Sequence, residues 1–371
     1  MAKGKKGDGL LATVDAADLA KRLGYVTGAL PRRNTIPILD CVRLTASGGG
    51  LRLAVTNLDQ QSESHLAADV QGEGALCVDA RRLAETVARL RGELLLDATS
   101  GALKLSAGRC RAEIPILPAE DFNDLRGPED GNSFEISSGV LLAGFASVMH
   151  CASKEEQRYY LNGVYVEPGA GFMRFTATDG HRLASLKVTS GVPDGAMFEP
   201  VIVPRAVLRD YIKFLERADG VVIMTIDDNR LQLSSGGETH ITKLVDGTFP
   251  DYERVIPKGP FTRIAVPVAD LKTAVSAAMT ACQEKSRAVK FEASEGVLTC
   301  SSRSDAQFCE ASVEAVDVPP APPFGLNAAY VLEALEVLRA EQVELCLSDG
   351  NSPVVFSTGD ELRQVVMPLR V

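Results

Sequence analysis

Two unrelated landmarks recur along this 371-residue chain with one period. Amphipathic segments open at Asp79, Pro204 and Asn327, spaced 125 and 123 residues apart, and strand-to-turn junctions fall at Thr56, Thr178 and Ser301, spaced 122 and 123 apart. A period shared by a helix start and a strand end marks one supersecondary unit used three times. The chain is therefore expected to fold as three similar domains, each with two helices and many short strands, rather than around a single core. Composition sets the limits: a Gly- and Lys-rich tail at 1–9, domains at 10–126, 132–257 and 258–371, and the linker RGPEDGN at 126–132.

Apolar spacing within each repeat marks the helices. Leu19, Leu23, Val26 and Leu30 predict a helix over Asp15–Leu30, stopped by Pro31, with a second over Asp79–Arg91. The middle repeat has Ser137–Cys151 and Pro204–Asp219, and the last has Pro267–Cys282 and Asn327–Ala340. Of the three strand-turns, TATDGHRLA (Thr176–Ala184) is the elaborated one. Thr178 and Asp179 suit side-chain bonding to the turn backbone, and Gly180 suits a positive φ. The turn is expected to present His181 and Arg182 to solvent beside Leu183. Taken alone, it suits a catalytic site, a phosphate site or a plain hairpin.

Several function classes fall away on motif and composition. The chain has no apolar run of membrane-span length and its first residues lack a signal-peptide core, so a cytoplasmic protein is expected. Its eight cysteines stand singly, without metal-ligand spacing, and read as reduced core residues. Phosphate loops, dinucleotide turns and zinc-protease helices are absent, and the four histidines lie far apart. No cofactor is implied. The enzyme reading narrows to Asp179 and His181 acting on a small phosphorylated substrate, and it stands as the alternative.

A net charge of −10 argues against a protein that simply coats nucleic acid, yet it permits a local basic surface. Arg205, Arg209, Lys213 and Arg217 recur every four residues on one helix, and Arg81 and Arg82 cluster on its counterpart in the first repeat. A solvated helix face and a phosphate-facing surface fit them about equally. Downstream of Lys154, Tyr159 and Tyr160 in RYYLNG suit either a strand with one ring buried or a stacking surface beside Arg158. The last seven residues, VVMPLRV, are apolar to the end, and such an end must pair in a sheet or line a groove.

Five motifs taken in order carry a resemblance: RNTIPIL (Arg33–Leu39), RYYLNG, TATDGHRLA, KLVDGTFPDYERVIP (Lys243–Pro257) and VVMPLRV (Val365–Val371). From about Asp15 to Val371 the chain resembles the β sliding clamp family of bacterial DNA polymerase III. That likeness implies an α+β DNA clamp fold, three domains with two helices each on antiparallel sheets, and a head-to-tail homodimer ring around duplex DNA. It also implies a processivity factor without catalysis, no membrane association, and partners that include polymerase III subunits, the clamp loader and other clamp-motif proteins. Carried over by position, the client-peptide pocket comprises Leu161, Thr178, Gly180, His181, Arg182, Leu183, Pro250, Arg254 and Val255. Pro353, Val365, Met367, Pro368, Leu369 and Arg370 complete it. The resemblance places Arg33, Lys154, Arg158, Tyr159 and Tyr160 on DNA, where they join the basic helix stripes.

Overall fold

A computed structural model describes residues 9–31, 35–283, 286–315, 321–359 and 361–370. Six α-helices come in three pairs: α1 (Ala16–Val26) and α2 (Ala80–Val87), α3 (Ser138–Val148) and α4 (Arg205–Arg217), α5 (Val268–Met279) and α6 (Ala328–Glu336). Each expected helix is present but shorter than its apolar spacing suggested. At three starts the first expected residue is instead a cap that satisfies backbone N–H groups left free by the first turn. Asp15 accepts from Ala17 N at 2.8 Å and Asp18 N at 3.1 Å, Asp79 from Arg82 N at 2.8 Å, and Asn327 from Ala329 N at 3.0 Å. At its far end α1 gives way to a 3-10 turn, Thr27–Ala29, which carries the chain to Pro31.

The chain divides into two compact units, residues 1–138 with 209–244, and residues 139–208 with 245–371. The first holds a 13-stranded antiparallel sheet. In it the strand Gln60–Ala67 of the first repeat pairs with Glu238–Lys243 of the second, Ser62 opposite His240. Leu19 and Leu23 of α1 and Leu83 and Val87 of α2 pack on this sheet with Leu44, Leu53, Leu94 and Leu105, all fully buried.

The second unit holds an eight-stranded and a four-stranded sheet. Here Arg182–Val188 of the second repeat pairs with Leu362–Val366 of the third, Leu183 opposite Val365. Its core includes Leu271 and Val275 of α5, Val331 and Leu335 of α6, and the stacked rings of Phe291 and Phe324, 5.1 Å apart. Elsewhere in this unit α3 lies close enough for Phe145 to meet Phe175 edge-on at 5.3 Å, which a side chain at Gly144 would prevent. A Cβ there would stand 2.4 Å from the buried Phe175 ring. Gly144→Ala is accordingly expected to cost about 1–3 kcal/mol, the usual penalty for overpacking. Urea unfolding checks this, and an unchanged midpoint would refute the close approach.

Candidate functional site

The Thr178–Arg182 turn is built by its own side chains. Thr178 Oγ1 donates to Arg182 O at 2.7 Å and accepts from Gly180 N at 3.1 Å, while Asp179 Oδ1 accepts from His181 N and Arg182 N. Gly180 sits at φ +87°, where a side chain is strained. The same scheme appears in the first repeat. Thr56 Oγ1 donates to Gln60 O and accepts from Leu58 N, and Asn57 Oδ1 accepts from Asp59 N and Gln60 N.

Arg182 departs from expectation. Strand alternation sends it inward, only 8 % exposed, to the face shared with Ala184, while Leu183 takes the opposite face. Its guanidinium bonds Asp179 Oδ2 at 3.1 Å, Glu333 Oε2 at 2.6 Å and His150 O at 2.7 Å, and lies 4.3 Å from the centre of the Tyr330 ring. Arg182 is thus a structural tie, while His181 alone of the pair remains exposed. Asp179 is equally occupied, since both of its oxygens serve the turn backbone or Arg182. It does not orient the His181 ring, and the arrangement needed for an Asp-assisted histidine base is missing. Among the described residues no group of three or more potential metal ligands occurs.

Beside this turn opens a mostly apolar cleft of about 190 Å³. Leu161, Thr178, Gly180, Arg182 and Leu183 form one wall; Pro250 and Val255 form another; Val365 and Met367 close it from the chain's end. The apolar end does pair in a sheet as well as line this groove, and Met367 N donates to His181 O at 2.9 Å. Asp251 and Tyr252 also line the cleft, though sequence reasoning passed over them. A signal existed for Tyr252, because FPDY spaces two aromatics three apart. Phe249 stacks on Tyr165 at 4.7 Å, and Tyr252 meets both rings edge-on.

The remaining expected pocket residues do not line the cleft. His181 is exposed, Arg254 is exposed and pairs with Asp251 at 2.6 Å, and Pro353 and Pro368 are half-buried. Leu369 N donates to Gly325 O at 2.8 Å, and Arg370 lines a separate cavity of about 550 Å³ beside Lys290 and Phe308.

The basic residues are unequal in their freedom. Arg209, Lys213 and Lys154 are exposed and form no ion pair among the described residues, whereas Arg158 faces Glu155 at 3.6 Å. Arg205 is half-buried. Arg217 is held by Glu238 at 2.8 Å and stacks on Tyr25 at 4.1 Å. Arg81 pairs with Asp40 at 3.3 Å and Arg82 with Asp79 at 3.7 Å. Tyr159 is exposed and Tyr160 half-buried, their rings 5.8 Å apart and edge-on. Arg33 and Val371 lie outside the described residues. All eight cysteines are free, five of them buried.

Comparisons with known proteins cover nearly the whole chain. Family models for the N-terminal, central and C-terminal domains of the DNA polymerase III beta subunit match residues 11–126, 135–251 and 253–370. A beta sliding clamp of Pseudomonas aeruginosa is 32% identical over 367 residues, and one of Caulobacter vibrioides is 33% identical over 373. Each alignment spans 97% of this chain and 99% of the relative. Among solved structures, a Caulobacter crescentus sliding clamp superposes with a TM-score of 0.91 at 31% identity, covering 99% of this chain and 100% of that one. A Bartonella birtlesii clamp bound to griselimycin gives 0.92 at 31%, covering 98% and 100%.

Proposed function

The chain belongs to the DNA polymerase III beta subunit family, the bacterial sliding clamps, and from that premise we propose that its apolar cleft is where client proteins dock by a short peptide. As a sliding clamp it is a processivity factor, not an enzyme. The observation that carries the docking reading is convergence: Leu161, Thr178 with Leu183, Pro250 with Val255, and Val365 with Met367, from four separate stretches, meet around one cleft. Apolar walls with a few fixed polar groups are what a peptide site needs. The clients would include polymerase III subunits, the clamp loader and other proteins with the same motif.

The DNA-facing reading draws on Arg209, Lys213 and Lys154, exposed and without an ion pair among the described residues, and on Arg82, Arg158 and Tyr159, which are also exposed. Phosphate contacts of this kind hold duplex DNA without reading its sequence. A head-to-tail homodimer is favoured by two open strand edges. The front of Cys110–Leu117 pairs on one side only, and Phe308–Glu314 ends the four-stranded sheet. Exposed edges invite pairing with a second chain, and a heterologous contact that closes by rotation makes a ring. The three repeats, 10–126, 132–257 and 258–371, would be its domains, with sheets continuing across their boundaries. Among the described residues no helix is long and apolar enough to cross a membrane, and we place the protein in the cytoplasm with the DNA it serves.

The docking reading is tested by Met367→Ala combined with Val255→Ala. Both side chains line the cleft yet are 40% and 51% exposed, so their loss should leave the fold intact. Truncating them removes apolar contact worth about 1.5–3 kcal/mol, or roughly tenfold to a hundredfold in peptide affinity by fluorescence anisotropy. Undiminished affinity would sink the assignment.

A further inference from the structure

The strands that build the cleft continue beyond it into a second cavity. On Arg182–Val188 and Leu362–Val366, Leu183 faces Val365 inside the cleft, and one two-residue step along, roughly 6.6 Å, Ser185 faces Arg363. Alternation keeps both pairs on one sheet face. The next residue on that face, Lys187, lies opposite Arg174 of the neighbouring strand. At this point the surface encloses about 490 Å³, bounded by these strands and by the segment from Tyr252 to Phe261. Tyr252 is a wall of both cavities.

The chemistry changes along that step from apolar to basic. Five cations surround the second cavity: Arg174, Lys187, Lys258, Arg263 and Arg363. Two are already neutralised, Arg174 by Glu253 at 2.9 Å and Arg263 by Glu344 at 2.5 Å. Lys187, Lys258 and Arg363 form no ion pair among the described residues, and Lys187 merely rests over the Phe172 ring, 4.7 Å from its centre. Against these three, Glu361 is the one carboxylate of the cavity wall without an ion pair among the described residues. In a chain of net charge −10, an excess of unpaired cations in a concave site is a local field that selects an anion.

We propose that this cavity receives acidic residues flanking the apolar motif of a client, so that one extended peptide fills the cleft and then the cavity. The proposal rests on the docking reading of the cleft. An extended chain advances roughly 3.3 Å per residue, so the acidic residues would lie within a few positions of the outermost apolar anchor, on whichever side of the core enters the cavity. Arg363 and Lys187 would meet them from the sheet and Lys258 from the covering segment.

The test uses the full chain and three fluorescein-labelled peptides sharing one Leu/Leu/Phe core, with neutral Gly-Ser flanks, with glutamates before the core, or with glutamates after it. At low salt one acidic peptide is expected to bind roughly fivefold tighter than the neutral one, with the gain fading at high salt. Lys258→Glu with Arg363→Glu, both exposed positions, should abolish the gain and leave the neutral peptide's affinity unchanged. If neither acidic flank tightens binding, or if the gain survives charge reversal, the proposal is overturned while the cleft reading stands. Failure of the neutral peptide to bind would overturn both. Binding of inorganic tripolyphosphate without any gain from glutamate flanks would mark a free-anion site and likewise overturn it.

Discussion

Replacing Arg182 with alanine is expected to destabilise the protein by about 3–4 kcal/mol. The side chain satisfies three acceptors at once, Asp179, Glu333 and the His150 carbonyl, while its plane covers Tyr330. Removing it takes the partner from Asp179 Oδ2 and from the part-buried His150 carbonyl, and it opens a gap between the turn and α6. Glu333 is half exposed and recovers some hydration, which keeps the figure below the upper range for a buried pair. Arg182→Lys retains the charge but neither the planar fork nor the stacking, so it should recover only part of the loss. Urea unfolding of the three proteins decides the matter. An alanine variant with the parental midpoint would show that the network contributes nothing net.

Acidification from neutral pH is expected to remove about 3 kcal/mol of stability through His150. Burial, and secondarily the positive charge of Arg182, hold its imidazole at about 4, against an ordinary value of 6.5. Glu333, Gln364 and Asp179 act the other way and are outweighed. Between these values the unfolded chain binds a proton that the folded protein refuses. His150 therefore costs nothing above about 6.5, and stability is lost as the pH falls through the window toward 4. In His150→Leu that window should flatten relative to the parent, while the losses due to carboxylates remain in both. Parallel stability curves for parent and variant across this window would refute the assignment.

Much of the architecture is local and was legible for that reason. The helix pairs follow from apolar residues at three- and four-residue steps, and Asp15, Asp79 and Asn327 are recognisable as caps once the periodic run behind them is seen. The Thr178–Arg182 turn was legible as a self-bonding turn because every group that builds it lies within five residues. The direction of Arg182 was not. The turn before it, Asp179 to His181, is polar, and what holds it inward are Tyr330 and Glu333, about 150 residues away on α6. Tyr252 was missed similarly, since its role depends on Tyr165 and on the strands beneath it.

The residues that meet at the cleft were legible through family likeness rather than through periodicity. Of the expected residues in VVMPLRV, Val365 and Met367 line the cleft, while Leu369 N donates to Gly325 O and Arg370 lines a separate cavity.

By itself the sequence determined the threefold repeat, the two helices of each repeat, and the turn at Thr178, because helical period and turn chemistry act over a few residues. Tertiary structure alone decided that Gln60–Ala67 would join Glu238–Lys243 and that Arg182–Val188 would join Leu362–Val366. The backbone groups along a strand edge are nearly the same in every strand, so local pattern cannot name the partner; long-range packing does. That choice puts Leu183 opposite Val365 and brings Leu161, Val255 and Met367 around them, which creates the cleft and sets the basic cavity one step beyond it.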